Sequence, residues 1–304
     1  MRKYSILLVI ITFFFTSFSY AKEVNSSKTY YAVAKFATPV LYTDDFSWVF
    51  WWSGSQLKFD DYWEIDELEF IALPKTVFVI KWVILKPNNV KIFKVETTDY
   101  PYPTDKWYYI DSRFVKIYTT KPSDRIKELP SKEDILKNLV SASGSIYTRW
   151  GNNKRGILQM LIWYPPLWNI EKELKDQWTL KWVDCSGLLY EATKWYTPRN
   201  TSTLVNYGTW VNIEWKNIDE IIEQVQPLDI IVWRWHMIVI LDKNTAIQSR
   251  VDYDDKTEGF QWWVRILPLK DVLLDVLNTK IPANNYDTEL VDWKKKFVIR
   301  RWYK

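Results

Sequence analysis

The chain has 304 residues and a formal net charge of +4, and Arg2 and Lys3 carry two of those charges. The remaining excess of about +2 is too small to drive binding to nucleic acid, so no nucleic-acid partner is expected. One cysteine cannot build an internal disulfide, and one cysteine with one histidine does not make a structural zinc site, so neither a metal nor another cofactor is expected.

Residues 1–21 read as a secretory signal peptide. Met1-Arg2-Lys3 is the positive start, Ile6 to Phe15 is an apolar run too short to span a bilayer comfortably, and Ser19-Tyr20-Ala21 is a small-x-small cleavage pattern. An uncleaved anchor is the alternative. No later segment is apolar enough to span. The expectation is an exported protein, periplasmic, attached to the cell wall or extracellular, with no stable membrane span after cleavage. About 280 residues then remain, enough for two domains, and the oligomeric state is left open.

Residues 28–120 are rich in Val, Ile, Tyr and Phe, in short runs broken by Asp, Asn, Pro and Ser, the pattern of a small all-β unit. Strands are predicted at Tyr31 to Lys35, Val40 to Tyr42, Leu68 to Ala72, Thr76 to Val83, Val90 to Val95, Trp107 to Ile110 and Phe114 to Tyr118. Lys121-Pro122-Ser123-Asp124 and Pro130 mark a linker over 121–130. Ser131 then caps a helix that runs to about Ser141.

A second domain is predicted over 131–280. Cys185 opens a helix running through Gly187-Leu188-Leu189-Tyr190, and another helix spans Asn217 to Gln224, with Ile218, Ile221, Ile222 and Val225 on one face. Asp229 to Val232, Met237 to Leu241, Thr245 to Ser249 and Val264 to Leu267 read as antiparallel strands, and Lys270 to Leu277 as a closing helix. Helices first and strands after them indicate an α+β domain with the Cys185 helix packed on a sheet. Residues 281–304 form a basic C-terminal extension. Lys294-Lys295-Lys296, Arg300, Arg301 and Lys304 read as a solvated edge strand, with contact to anionic wall polymers as the alternative.

A cysteine in the first turn of a helix meets free backbone N–H groups and the positive end of the dipole, both of which favour a thiolate. His236, the only histidine, opens the Met237-Ile238-Val239-Ile240-Leu241 strand and is the one possible imidazole partner. A turn at Asp242-Lys243-Asn244 would return Gln248 alongside His236. The Gln248 amide oxygen would then accept the Nδ1 hydrogen and leave Nε2 facing the sulfur.

These residues, in this order, resemble the NlpC-type cysteine peptidases, which cut the peptide stems of bacterial cell walls. The resemblance spans about Ser131 to Leu277. It rests on Tyr147 with the Gly151-Asn152 turn, Asp184-Cys185-Ser186-Gly187-Leu188, Pro198-Arg199, Pro227-x-Asp229, His236 and Gln248. It implies a papain-like catalytic fold. Ala37-Thr38-Pro39-Val40-Leu41-Tyr42 and Trp107 to Val115 resemble the first and last strands of bacterial SH3-like wall-targeting domains, implying that a small SH3-like barrel precedes it.

In that family's roles, Cys185 attacks the amide carbonyl, His236 forms the ion pair and protonates the leaving amine, and Gln248 orients His236. The Cys185 N–H helps to hold the oxyanion, and the Tyr147 hydroxyl lies close to the sulfur. Tyr147, Asp184, Ser186 and Arg199 would line the site for the stem peptide, the implied partner. The implied bond joins D-glutamate, through its γ-carboxyl, to the diamino acid. Other readings are an inactive wall-binding module, or an amidase or acyltransferase using the same pair. Asn200-Thr201 follow Arg199 where an acidic residue is common, and Leu228 and Ile238 replace residues that are usually small.

The composition holds one anomaly, 20 Trp against 7 Gly. Average usage for this length is about 21 Gly. Trp150, Trp182, Trp195 and Trp235 stand where the family's backbone asks for glycine. A gene that uses UGA for glycine, read with a table that makes UGA tryptophan, accounts for both the excess and the shortage. Several of these tryptophans are then expected at positive φ, in open exposure, or crowding the cleft, while some of the 20 are genuine.

Overall fold

Short strands build the first half of the chain, some with alternating burial, as over Val77–Leu85, and some buried throughout, as over Thr38–Leu41 and Leu68–Ala72. The computed structural model describes residues 20–23, 28–51, 54, 56–60, 64–100, 106–254, 259–287, 289–291 and 293–304; residues 1–19 of the expected signal peptide lie outside them. The elements of this half are β1 (Tyr20–Glu23), β2 (Tyr30–Ala34), β3 (Thr38–Leu41), α1 (Phe46–Phe50), β4 (Leu68–Ala72), β5 (Val77–Leu85), β6 (Lys91–Glu96), β7 (Tyr108–Asp111) and β8 (Val115–Tyr118). Each of the seven stretches predicted as strand contains one. They pair antiparallel in the order β4-β3-β7-β6-β5-β2-β8, with β1 beside β5. Among the described residues no pairing of β4 with β8 closes this sheet into a barrel.

The second half begins with α2 (Lys132–Val140), capped by the Ser131 side chain as its sequence requires. There follow β9 (Asn152–Asn153), α3 (Met160–Trp163), α4 (Lys172–Trp178), β10 (Trp182–Val183), α5 (Cys185–Ala192), α6 (Thr201–Leu204), β11 (Thr209–Trp210) and α7 (Ile218–Gln224). Asn217 and Glu220 close a full capping box on α7. The chain ends with β12 (Ile230–Trp233), β13 (His236–Ile240), β14 (Thr245–Asp254), β15 (Gly259–Pro268), α8 (Leu269–Thr279), β16 (Lys280–Pro282), β17 (Leu290–Val291) and β18 (Lys294–Arg301). The molecule is thus a mixed α and β fold with several antiparallel sheets.

The main sheet of this half runs β11-β18-β12-β13-β14-β15. Alternation sorts its side chains onto two faces. Ile230, Val232, Met237, Val239 and Val298 pack with Leu188 and Leu189 of α5 and Ile135 and Leu139 of α2. Ile231, Ile238, Ile240, Phe297 and Ile299 pack with Ile221 of α7 and Leu269, Val272 and Leu273 of α8. A sheet covered on both faces fixes α5 rigidly against β13 and β14.

The basic tail is not an extension. β18 lies inside the sheet between β11 and β12, and Phe297, Val298 and Ile299 are fully buried. Its charges sit at the two ends of the strand, where the Arg301 guanidinium pairs with Asp229 at 2.7 Å and the Arg300 Nε donates to the Val205 carbonyl at 2.5 Å. The charges flank three consecutive apolar residues, which is the pattern of a strand buried on both faces and not of a solvated edge.

Residues 152–182 pack onto the β-rich half, and one apolar core runs through both. The Tyr164 hydroxyl donates to Asp111 at 2.5 Å, Asn152 donates to the Ile71 carbonyl at 3.0 Å, and the Trp51 indole donates to the Pro165 carbonyl at 2.7 Å. The first half therefore forms part of the frame around the Cys185 helix.

Three of the four tryptophans singled out in the sequence adopt positive φ: Trp150 at 67°, Trp195 at 73° and Trp235 at 87°. Trp182 does not. It lies in β10, fully buried, with its ring centroid 5.9 Å from that of Phe59, so its backbone makes no demand for glycine. Trp215 at 63° and Trp293 at 63° join the group. The left-handed conformation costs a side-chain-bearing residue about 1–2 kcal/mol.

Candidate active site

Asp184 starts α5. Its carboxylate accepts the Gly187 N–H at 2.7 Å, and its own N–H donates to the Gly151 carbonyl at 2.9 Å. The first turn of α5 is pressed against residue 151 so closely that a Cβ on Gly187 would lie 1.9 Å from the Gly151 oxygen. Glycine at 187 is therefore what lets the cysteine turn dock.

Cys185 Sγ lies 3.9 Å from the Trp235 carbonyl oxygen, and the Met237 backbone N–H points at the sulfur from the other side of His236. The thiol is thus held along the backbone that carries His236. The His236 ring is half-buried and packs against Trp233 with centroids 5.1 Å apart. Its Nε2 is 3.1 Å from the Gln248 Oε1. The expected hairpin of β13 and β14 brings the two residues together, but the nitrogen is the opposite one: Gln248 engages Nε2, not Nδ1. A neutral ring that donates from Nε2 to the Gln248 oxygen carries its lone pair on Nδ1.

Tyr147, Asp184, Cys185, Ser186 and Arg199 line a cleft of about 240 Å³, whereas His236 and Gln248 are not among its wall residues. Asp184 and Arg199 are both buried and joined by two bonds, 2.9 Å from Nη1 and 2.6 Å from Nη2. Arg199 also reaches the Ser186 hydroxyl at 2.9 Å and the Gly151 carbonyl at 3.2 Å. The polar atoms of Asp184, Ser186 and Arg199 are thereby spent largely on one another, and the three act as a buried clamp on the cysteine turn.

The electrostatics of the thiol differ from the expectation. Burial, reinforced by the nearby Asp184 carboxylate, pushes the Cys185 thiol up to about 12, against the smaller opposing pull of the Met237 N–H and Arg199. Burial and the neighbouring carboxylate thus oppose the thiolate that the helix position favours. The Tyr147 phenol is raised as well, first by burial and then by the adjacent sulfur and Asp184, so it is a neutral hydroxyl in the cleft wall.

Further cleft residues escape the sequence reading, among them Glu64 and Arg149. Glu64, from the β-rich half, pairs with Arg149 at 3.1 Å across the cleft mouth, and burial raises its carboxyl despite the arginine. Arg149 stands inside the Tyr147 to Asn152 turn and is within reach of a motif reading. Glu64 lies in an irregular loop over 80 residues away in sequence, and nothing in its neighbours marks it.

No known family profile matches the chain, and no curated protein matches it. Among solved structures it is similar to NlpC1 from Trichomonas vaginalis, at 8% identity and a TM-score of 0.31, over 82% of this chain and 90% of that one. A superposition this loose decides neither fold nor chemistry, which rest on the residues themselves. Among the described residues no group of three or more His, Cys, Asp or Glu is placed to hold a metal ion, and no helix is long and apolar enough to cross a membrane.

Proposed function

We propose that the protein is a papain-like cysteine peptidase of the NlpC type, exported and acting on cell-wall stem peptides, with Cys185, His236 and Gln248 as its catalytic group and an SH3-like unit before it. The observation that carries this reading is the Cys185 thiol at the head of α5, lining a cleft and packed along the backbone at His236, with Gln248 Oε1 3.1 Å from the His236 Nε2.

In the proposed reaction the thiol proton passes to His236 Nδ1 as Sγ attacks the carbonyl carbon of the scissile amide. The oxyanion forms near the first-turn N–H of α5, with the Tyr147 hydroxyl as a second donor from the wall. The C–N bond then breaks, and the imidazolium returns its proton to the leaving amine. Water, deprotonated by His236, attacks the thioester and releases the acid, restoring the thiol. Gln248 keeps the ring in one orientation throughout. The bond favoured is the γ-D-glutamyl link to the diamino acid.

Digestion of purified muropeptides, with fragments identified by mass, tests the proposal. Hydrolysis at the γ-glutamyl bond that disappears in Cys185→Ala is the expected result. Cleavage at the sugar–peptide junction would make the protein an amidase. Binding without any product would make it an inactive wall-binding module.

A further inference from the structure

Tryptophan fills 20 of 304 positions, yet it supplies five of the eleven non-glycine residues at positive φ among the described residues. Such backbone is adopted by a few per cent of non-glycine residues and is a true outlier for a bulky one, so 20 tryptophans should supply about one. The five φ values, 63° to 87°, overlap those of the positive-φ glycines, 76° to 81°.

Four of the five sit in a tight turn that has its own reason to want glycine, and the fifth, Trp195, follows a left-handed helix cap. The Gly151 N–H donates to the Thr148 carbonyl at 3.0 Å, which makes Trp150 the third residue of a four-residue turn. The Lys216 N–H donates to the Ile213 carbonyl at 3.2 Å, which puts Trp215 in the same place. Trp233 pairs with His236 across β12 and β13, so Arg234 and Trp235 form a two-residue hairpin loop with Trp235 third. Arg149, Glu214 and Arg234, the second residues of these turns, are not at positive φ. A positive φ at the third residue alone defines the type II turn, whose third position takes glycine. Val291 pairs with Lys294, and Trp293 stands directly before that pair's second residue, with Asp292 preceding it in sequence. With glycine there the sequence reads Asp-Gly, the strongest short hairpin signal. At the end of α5 the Trp195 N–H donates to the Tyr190 carbonyl and the Lys194 N–H to the Glu191 carbonyl, which makes Lys194 the usual left-handed cap and Trp195, at φ 73°, a second left-handed residue after it.

We infer that positions 150, 195, 215, 235 and 293 are glycine in the polypeptide made by the cell that carries this gene, through UGA codons read there as glycine. A tryptophan-rich sugar-binding surface would explain the excess of indoles, and not why they occupy turn positions that exclude side chains. The inference does not depend on the peptidase reading, but it changes the site. Trp150 and Trp235 both stand in the wall of the cleft over Cys185, and Trp235 is 62% exposed directly before His236. Glycine at both removes two indoles from the mouth and lets a substrate backbone approach the Cys185 turn from that side.

Tryptic peptide sequencing of the protein isolated from its source cell, read beside the codons, tests this without any activity measurement. Cleavage after Arg149, Lys194 and Arg234 leaves positions 150, 195 and 235 at peptide amino termini, and peptides 200–216 and 281–294 report the other two. Glycine at the five positions with UGA codons is the expected result. Tryptophan, or a UGG codon, at 150, 215 or 235 overturns it. Expressed chains give a second reading: the fivefold Trp→Gly variant should melt at a higher temperature than the literal sequence, and a lower melting temperature counts against the assignment.

Discussion

Cys185 offers a direct measurement of how the proposed nucleophile would be activated, because a chain with one cysteine gives one alkylation signal. Burial and the Asp184 carboxylate raise the thiol from 9.0 to about 12. A thiol that ionises so late holds about a thousandfold less thiolate near pH 8 than an ordinary cysteine. Iodoacetamide labelling of the free enzyme, followed by intact mass, should therefore be slower than for a cysteine peptide by roughly that factor, and the rate should still be climbing at about pH 10. The raised value also sets a stability dependence. The folded state holds the proton more tightly than the unfolded one, so this contribution is complete below pH 9 and fades as the pH rises towards 12. Fast labelling with a plateau near pH 6 would show a preformed thiolate–imidazolium pair, and would refute activation by proton transfer to His236 during attack.

Gln248→Ala should lower kcat by roughly ten- to a thousandfold with KM little changed, because it frees the imidazole without removing it, whereas His236→Ala should abolish turnover; single-turnover assays on muropeptides separate the two. Arg199→Ala strands a buried Asp184 at the head of α5, and the urea midpoint should report a loss of about 3–5 kcal/mol, the usual cost of breaking a buried pair. Deleting residues 294–304 removes a strand from inside the sheet, so that chain should lack a cooperative melting transition in circular dichroism, although a tail outside the domain would have left melting unchanged.

The strands of the first half and the elements around Cys185 are legible in the sequence because they are local. Alternation along Val77–Leu85, the Ser131 and Asn217 caps and the apolar run after His236 each carry their signal within a few residues. The partners of those elements are harder to see. Gln248 is reached by counting one hairpin forward, and even there the choice between ring nitrogens depends on how the strands bring the ring and the amide together. The two-sided burial of β18 and the contact of Glu64 with Arg149 follow from long-range pairing, which leaves almost no mark on the flanking sequence. Charge misleads in the case of β18: lysines and arginines at a strand's ends say nothing about the three residues between them.

The thiol marks a different limit. Helix position and the identity of a His partner both argue for a low pKa at Cys185, but burial, with the Asp184 carboxylate beside the sulfur, pushes it upward. That balance depends on how Asp184, Arg199 and Gly151 enclose the turn, and therefore on the packing of residues far apart in the chain. It also explains why the clamp and the nucleophile belong together. In the proposed mechanism a neutral thiol waits in the cleft wall without costing the fold a buried charge, and its proton moves to His236 when a substrate enters. A sulfur held as a thiolate in the same place would press against Asp184 continuously. Arg199, bonded to Asp184 through both terminal nitrogens, holds that carboxylate at the head of α5 beside the sulfur.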